Sequence, residues 1–464
     1  MSEDSRFAFK AQPADRWVTL ILLAAVYGLS SADRFLMSIF TEPIKAEFHL
    51  SDSNVGFLTG AIFAIFYVGA ALPLGVLGDK WNRRNLVAAC LGVFSIMTAV
   101  PGIAKGYSTL LLSRIGVGIG EAGYTPIALS LLSDKFIPAK RPGILSLFTV
   151  GGTLGAWAGI TGAGILESNH NWRFAMVVFG LVGLVLAVLV LLFSRESGRG
   201  ALEGISVGSE RNSTISLLTT LKTCREQRSV LHTIIGITLV SLWGWGLVWW
   251  APAFLHRSFG VSTGEAGTII GPIHGVVGTV AVLTSAALMF WLAKGDARRP
   301  MAFVGWLGAL STLPSIAMVF APSLSIAVVM LWLFMPMAYV SIGPALATIN
   351  SGVPPHMRGQ VNAIVLAISN FATLAIAPVI VGVLSDVIAT HISNPSESVR
   401  YALLPLSLTG FWGAYHLWLA SRSVAVDLTH VVSLAGLPPP PIAVRSQPFL
   451  VEHSGRECKQ RTAE

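Results

Sequence analysis

Apolar stretches of about twenty residues recur along almost the whole chain, and a helix of this length crosses the hydrocarbon core of a bilayer. Such stretches lie approximately at residues 17–40, 54–77, 86–104, 108–133, 143–165, 172–194, 230–254, 264–292, 300–320, 324–350, 359–386 and 400–420. Because lipid offers no hydrogen-bond partners, each spanning segment must pair its backbone N–H and C=O groups internally, as a helix does. The strands of a membrane β-barrel alternate apolar and polar residues, and these continuous apolar runs do not. The predicted fold class is therefore an all-α membrane protein with twelve transmembrane helices.

Composition excludes the main alternatives to a membrane protein. Of the 464 residues, 53% are hydrophobic and 12% are charged, whereas about 25% of a soluble chain is charged. The low hydrophobicity that intrinsic disorder requires is also missing. Three scattered cysteines, Cys90, Cys224 and Cys458, are too few for a disulfide framework or a metal cage.

A polar stretch rich in serine, glycine and charge separates the first six spans from the last six. We expect a cytoplasmic N-terminal tail (1–16), a first six-helix half (17–194), a cytoplasmic linker (195–229), a second six-helix half (230–421) and a disordered cytoplasmic tail (422–464). The chain is thus predicted to be a multi-pass protein of the inner or plasma membrane.

The distribution of cations predicts the orientation, because Lys and Arg are retained on the cytoplasmic side. If both termini are cytoplasmic, the inner segments hold 24 cations and the outer segments hold five. Membrane topology therefore explains the net charge of +8, and no nucleic-acid partner is predicted.

The two halves repeat a short motif. Residues 51–56 open the second span and residues 262–267 open the eighth span, 211 positions later. Duplicated six-helix halves are typical of transporters that work by alternating access, with the substrate site between the halves near the bilayer midplane. The repeat therefore predicts two pseudo-symmetric halves and a transport function.

Several motifs carry a family resemblance. Residues 75–84, Gly-Val-Leu-Gly-Asp-Lys-Trp-Asn-Arg-Arg, resemble the signature loop of the major facilitator superfamily, and residues 114–122 resemble its second motif. Together with Asp33-Arg34-Phe35, residues 120–124 and residues 171–173, the pattern resembles the spinster branch, including its bacterial members. This resemblance implies the major facilitator fold and a proton-coupled carrier of lysolipid-like molecules.

Asp33 and Glu121 are the acids that lie well inside predicted spans, where a charge costs several kcal/mol unless it is paired or hydrated. Asp33 in the first span and Arg114 in the fourth lie about 10 Å and about 9 Å below the outer ends of their helices, so we expect a salt bridge between them. Glu121 lies about 10 Å deeper than Arg114 on the same helical face, with no obvious permanent partner. We predict that Glu121 carries the coupling proton and that Asp33 is a switchable partner of Arg114.

Two interpretations of these charges remain open. The buried charges either drive the transport cycle or only tie the first and fourth spans together. Arg34 lies about 100° around the helix from Asp33. It either meets an anionic headgroup or extends its long stem to the membrane interface.

A second charged group, Asp79, Arg83 and Arg84, follows the second span. Positive-inside anchoring is one explanation of these residues. The superfamily resemblance implies a cytoplasmic gate instead, in which Asp79 faces the positive N-terminus of the eleventh helix and Arg358 assists.

Flat aromatic and adaptable methionine side chains, most of them in the second half, suit an acyl chain. The candidate cavity-lining residues are Tyr124, Trp243, Trp245, Phe334, Met337 and Tyr339. Trp249 and Trp250 lie near the outer end of their span, where an interfacial belt is expected. His274 is either a second titrating site or a hydrogen-bonded structural residue.

The sequence has no Gly-x-x-x-x-Gly-Lys-Ser/Thr loop and no His-Glu-x-x-His motif, so an ATP-driven pump and a metallohydrolase lack a basis. We predict a monomeric carrier, not an enzyme, without cofactor or metal, whose partners are protons, the lipid bilayer and a small amphipathic substrate. The alternatives are a proton-coupled carrier of small organic anions and a membrane receptor or scaffold that transports nothing.

Overall fold

The computed structural model describes residues 13–434 except residues 138–139, 197–215, 295 and 355–356. Most of the predicted N-terminal tail, most of the linker and the chain after residue 434 therefore lie outside the described residues. The helices are α1 (Pro13–Ile39), α2 (Thr41–Phe48), α3 (Asp52–Gly56 and Ile62–Lys80, joined by a π-helical turn at Phe57–Ala61), α4 (Arg83–Ala99), α5 (Tyr107–Lys135), α6 (Arg141–Asn169), α7 (Trp172–Phe193), α8 (Leu217–Glu226), α9 (Arg228–Phe259), α10 (Thr263–Pro272 and Gly278–Leu292, joined by a π-helical turn at Ile273–Val277), α11 (Arg298–Val319), α12 (Leu324–Phe334, Pro336–Val340 and Ile342–Ser351), α13 (Arg358–Phe371 and Ala377–Ala389, joined by a π-helical turn at Ala372–Ile376) and α14 (Ser398–Leu434).

Within the described residues, eleven helices are long and apolar enough to cross a membrane. The twelfth long helix, α14, is not among these eleven. It nevertheless packs into the bundle, since Gly413 of α14 contacts α9 and Gly305 of α11 contacts α14. The prediction of an all-α, twelve-helix membrane protein is confirmed.

The long helices alternate in direction, which gives the bundle two ends. We call the end at which α1 begins and α7 finishes the terminal end, and the opposite end, which carries α2, the distal end. The terminal end corresponds to the predicted cytoplasmic side.

The repeated sequence motif forms the same local structure in both halves. Ser51 caps α3 by accepting a hydrogen bond from the backbone N–H of Asn54, and Ser262 caps α10 by accepting one from Glu265. A serine or threonine at this position satisfies a backbone donor that the first helical turn leaves free. The duplication in sequence is therefore a duplication of helix starts at the distal end.

Glycine allows the closest helix contact in the first half. At Gly155 of α6 a Cβ atom would overlap the backbone of Gly28 in α1. Similar contacts join the two halves at the distal end, where Gly164 of α6 faces Gly264 of α10 and Gly60 of α3 faces α13. Backbones approach this closely in a membrane because small residues replace side-chain packing at the helix interface.

One predicted boundary is wrong. The tail was expected to start at residue 422 and to be disordered, but α14 continues to Leu434. Asp427 accepts a hydrogen bond from the backbone of Ser229, which satisfies a free N–H at the start of α9 and fixes this extension. The linker also contains helix α8, where Thr220 donates to Gln360 at 2.6 Å.

Gly155→Ala is expected to lower the stability of the bundle by about 1–3 kcal/mol, because the added methyl group would push α6 away from α1. Gly92 of α4 has open space around the position of its missing Cβ, so Gly92→Ala is the matched control. Thermal unfolding of both variants in detergent tests this, and equal midpoints would contradict the close contact.

Candidate functional site

The first ion pair between α1 and α5 is almost completely enclosed. The Nη1 atom of Arg114 lies 3.3 Å from the Oδ2 atom of Asp33, and their side chains are 3% and 1% exposed. Thr98 of α4 donates to the other carboxylate oxygen of Asp33 at 2.6 Å. The salt bridge expected from the matched depths of Asp33 and Arg114 is therefore present. Because the pair is buried, removing one partner would leave an uncompensated charge and lower the stability of the fold.

A second ion pair between the same two helices joins Arg34, the neighbour of Asp33 in α1, to Glu121, which lies two helical turns beyond Arg114 in α5. The Nε atom of Arg34 lies 2.9 Å from the Oε2 atom of Glu121. The expectation that Glu121 has no partner is therefore wrong, and Arg34 does not extend to the interface. Arg34 points about 100° away from Asp33 around α1, and its long side chain reaches along α5 to Glu121 instead.

The second pair differs from the first in its access to the interior of the bundle. The Glu121 side chain is 1% exposed, whereas that of Arg34 is 26% exposed, and the guanidinium carbon of Arg34 lies 5.5 Å from the ring centroid of Tyr67. The Oε1 atom of Glu121 is buried and has no hydrogen-bond partner among the described residues. A carboxylate oxygen in this state is unfavourable when charged and is a natural place for a proton.

The facing wall is aromatic and belongs to the second half. The Nδ1 atom of His274 lies 2.7 Å from the hydroxyl of Tyr339, and the His274 ring lies 4.4 Å from that of Phe35 and 5.9 Å from that of Trp245. Because Phe35 directly follows Arg34, the aromatic wall lies beside the charged wall. Trp245 and Tyr339 remain partly exposed, so both line accessible space.

Three other candidate lining residues do not line accessible space in this structure. Trp243, Phe334 and Met337 are completely buried. The indole nitrogen of Trp243 donates to Ser315 at 3.0 Å, so Trp243 belongs to the packing of the second half. Tyr124 is also buried, with its hydroxyl bonded to the backbone of Leu23.

The expectation of an interfacial belt at Trp249 and Trp250 is wrong. Both side chains are buried, and the indole nitrogen of Trp250 donates to the carbonyl of Pro378 in α13 at 3.3 Å. The carbonyl of Trp249 accepts a hydrogen bond from Ser38 of α1. Hydropathy cannot distinguish a tryptophan that faces lipid from one that is buried between helices.

The predicted gate residues lie at the terminal end. Arg83 is buried and binds acids of its own half, with Asp134 at 2.5 Å and Glu196 at 2.8 Å. The backbone of Arg84 also donates to Glu196, and Arg358 is exposed at the start of α13. The side chain of Asp79 lies outside the described residues.

Sequence reasoning missed a charged cluster at the distal end, which we call the distal lock. Arg257 of the second half donates to both carboxylate oxygens of Asp52 at 2.7 and 2.8 Å, and to Glu42 at 2.8 Å. Lys45 also reaches Asp52 at 2.5 Å. In return, Asp386 of the second half accepts the backbone N–H groups that open α3, at 2.9 and 2.8 Å.

The distal lock joins the halves by two reciprocal sets of bonds. The bidentate arginine pair has the geometry of a strong charge-assisted contact, and a carboxylate at the N-terminus of α3 is favoured by the helix dipole. In the sequence, Arg257 is one of five cations in the predicted outer segments. The scarcity of cations on that side is the one sequence feature that points to Arg257.

A family model described as the Major Facilitator Superfamily matches residues 23–378, well over half of the chain. The chain belongs to the Major Facilitator Superfamily. It is 31% identical over 429 residues to an MFS-type efflux pump of Mycolicibacterium smegmatis, covering 92% of this chain and 97% of that protein. It is 28% identical over 421 residues to protein spinster homolog 1 of Xenopus tropicalis, covering 85% and 78%.

A solved structure shares the fold of this superfamily transporter. It is a bacterial homolog of the human lysosomal transporter Spinster in an inward-facing, unoccupied conformation, with a TM-score of 0.77, 24% identity and coverage of 90% of this chain and 99% of that one. The spinster-like resemblance of the motifs is confirmed. The superfamily consists of transporters rather than enzymes, in agreement with the prediction from the sequence.

Asp33→Asn is expected to destabilise this transporter by about 3–5 kcal/mol, because it leaves the buried guanidinium of Arg114 without a counter-charge. The double variant Asp33→Asn with Arg114→Gln removes both charges and is expected to recover part of the loss. Thermal unfolding in detergent measures both effects. A single variant as stable as the unmodified protein would show that the pair does not hold α1 to α5.

Proposed function

We propose that this protein is a proton-coupled secondary transporter of amphipathic, lysolipid-like substrates that works by alternating access. The observation that carries the proposal is the Arg34–Glu121 pair, in which the acid is buried and the cation is partly exposed. Buried ionisable groups in a membrane bundle are expensive, and they mark proton or substrate pathways.

The two members of this pair suit different ligands. Protonation of Glu121 removes its negative charge and frees the guanidinium of Arg34. A free guanidinium binds phosphate or carboxylate through paired N–H groups. Proton binding at Glu121 and headgroup binding at Arg34 are therefore coupled, because each disrupts the same ion pair.

The Asp33–Arg114 pair is the second element of the coupling. Asp33 and Arg34 are neighbours in α1, and Arg114 and Glu121 lie on one face of α5. A change at one pair therefore moves the helix that carries the other. A ligand that binds one arrangement better shifts the population towards it.

The shape of the substrate follows from the two walls. One wall presents Arg34 with Glu121 buried behind it, and the other presents Trp245 and Tyr339 with His274 buried behind them. A charged headgroup and a flat apolar body match these walls together, which favours an amphiphile.

Alternating access requires the two ends of the bundle to open in turn. The distal lock is closed in this structure, so opening that end must break the bonds of Arg257 with Asp52 and Glu42. We propose that Asp79, Arg83, Arg84 and Arg358 form the corresponding gate at the terminal end. The distribution of cations supports a cytoplasmic location of this end.

A carrier of small organic anions is the second candidate function. It rests on the same Arg34 guanidinium, which would bind a carboxylate without any contribution from the aromatic wall. The two candidates differ in whether the apolar part of the substrate contributes to binding.

Glu121→Gln is expected to reduce proton-driven substrate uptake in proteoliposomes to the level of vesicles without protein, because the amide cannot carry the proton. The matched control is Glu47→Gln at the distal end. Glu47 is 41% exposed, and its hydrogen bond from Arg173 holds its pKa below the usual range. Undiminished proton coupling in Glu121→Gln, with the folded protein verified by size-exclusion chromatography, would contradict the proposed role.

Competition distinguishes the two candidate substrates. Single-chain lysophospholipids are expected to inhibit uptake far more strongly than small carboxylates of the same charge, because burial of an acyl chain adds about 0.8 kcal/mol per methylene group. The measurement is inhibition of uptake across a series of chain lengths. Equal inhibition by acetate-sized anions would support the organic-anion carrier instead.

A further inference from the structure

A cavity of about 390 Å³ lies inside the second half, away from the ion pairs. It is lined by α10, the start of α11, α12 and the C-terminal part of α14 and is partly open. Its lining is mainly apolar and includes Val282, Met289, Gly343, Ala347, Val424 and Leu428. Since pockets for small ligands are typically about 300–1,000 Å³ and mostly apolar, the cavity has the size and chemistry of a binding site.

One residue belongs both to this cavity and to the aromatic wall described above. Tyr339 lines the cavity, and its hydroxyl lies 2.7 Å from the Nδ1 atom of His274. Its ring lies 5.2 Å from that of Trp245, and Phe35 contacts the His274 ring on the other side. A path of packed aromatic rings, in which Phe35 and His274 are buried, therefore runs from the neighbour of Arg34 to the cavity.

The length of the cavity matches one lipid chain. Its lining on α12 runs from Tyr339 to Ser351, which is about 18 Å at 1.5 Å per residue. The hydrocarbon core is about 30 Å thick, so an acyl chain spans a leaflet of about 15 Å. A compact organic anion would leave most of this length unfilled.

The broken course of α12 makes room for the cavity without leaving a free polar group in it. Pro344 has no N–H to donate to the carbonyl of Val340, four residues earlier. That carbonyl accepts the hydroxyl of Ser285 from α10 at 3.2 Å. At Gly343 no atom lies within 4 Å of the position of a Cβ, so this glycine contributes open space.

We propose that this cavity binds the acyl chain of the transported amphiphile while its headgroup lies at Arg34. The inference rests on the proposed function and assigns a separate place to each part of the substrate. The aromatic path to Tyr339 favours the tail of the substrate over the chain of a bilayer lipid as the occupant. The extension of α14, through Val424 and Leu428, forms the last part of the wall.

A photoreactive lysophospholipid tests the proposal directly. Lysophosphatidylglycerol with a diazirine at the end of a long saturated chain is added to the full-length protein in phosphatidylcholine nanodiscs, and labelled peptides are identified by mass spectrometry. We expect labels in the segments that contain Met289, Ala347 and Leu428. Labels confined to the lipid-facing surface would overturn the proposal.

Gly343→Phe fills the cavity where the structure has space for a side chain. Each buried methylene contributes about fourfold to binding, so we expect labelling of the cavity to fall by about tenfold or more. The matched control is Gly69→Phe on α3, whose added side chain also meets open space. Gly343→Ala tests whether the backbone accepts a side chain at this position without filling the cavity, and we expect this variant to retain labelling. Unchanged labelling in Gly343→Phe would overturn the proposal.

A diacyl phosphatidylglycerol with the same photoreactive chain distinguishes substrate from bilayer lipid. Labelling by the lysolipid that falls in Arg34→Ala supports the substrate tail. Equal labelling by the diacyl lipid, independent of Arg34, would identify a bilayer chain and overturn the assignment. Uptake that does not depend on a proton gradient would contradict the proposed function but would leave the labelled positions unchanged, so the two failures are distinguishable.

Discussion

Charge buried between α1 and α5 is the constraint on which the rest of this structure depends. A charged side chain inside a membrane bundle is tolerated only when it has a partner, and here two pairs of opposite charge lie at two depths of one helix interface. The enclosed pair of Asp33 and Arg114 fixes the relative position of the helices. The pair of Arg34 and Glu121 keeps its cation accessible, so its charge is available to a ligand. Both pairs form because an unpaired buried charge is unfavourable. The Asp33–Arg114 pair is a structural contact, and the Arg34–Glu121 pair is a candidate coupling site.

The distal lock complements these pairs because its bonds cross between the halves. Arg257 and Asp386 each reach the start of α3 from the second half. Glycine contacts such as Gly164 with Gly264 bring the same ends together. The ion pairs of the first half join helices of the same half, whereas the lock has to break when the halves separate. The proposed coupling residues therefore lie within one half, and the contacts that hold the distal end closed lie between the halves.

Away from the distal lock, the second half contributes aromatic side chains beside the ion pairs of the first half. His274 and Tyr339 are hydrogen-bonded to each other, and the aromatic residues around them form the wall that faces Arg34. Behind this wall, the proline breaks of α12 open a cavity of leaflet length while Ser285 satisfies the freed carbonyl. The proposal of an amphipathic substrate rests on this contrast between the ion pairs of the first half and the aromatic wall of the second.

The sequence by itself determined the number of spans, the duplication of the halves and the depth match of Asp33 with Arg114, because hydropathy, helix rise and N-cap chemistry act over a few neighbouring residues. Only the tertiary structure decided the partner of Glu121, the burial of Trp249 and Trp250, and the place of Arg257 in the distal lock. These outcomes depend on which helix faces which and at what rotation. Packing between segments far apart in the chain sets that rotation, and no local pattern contains it.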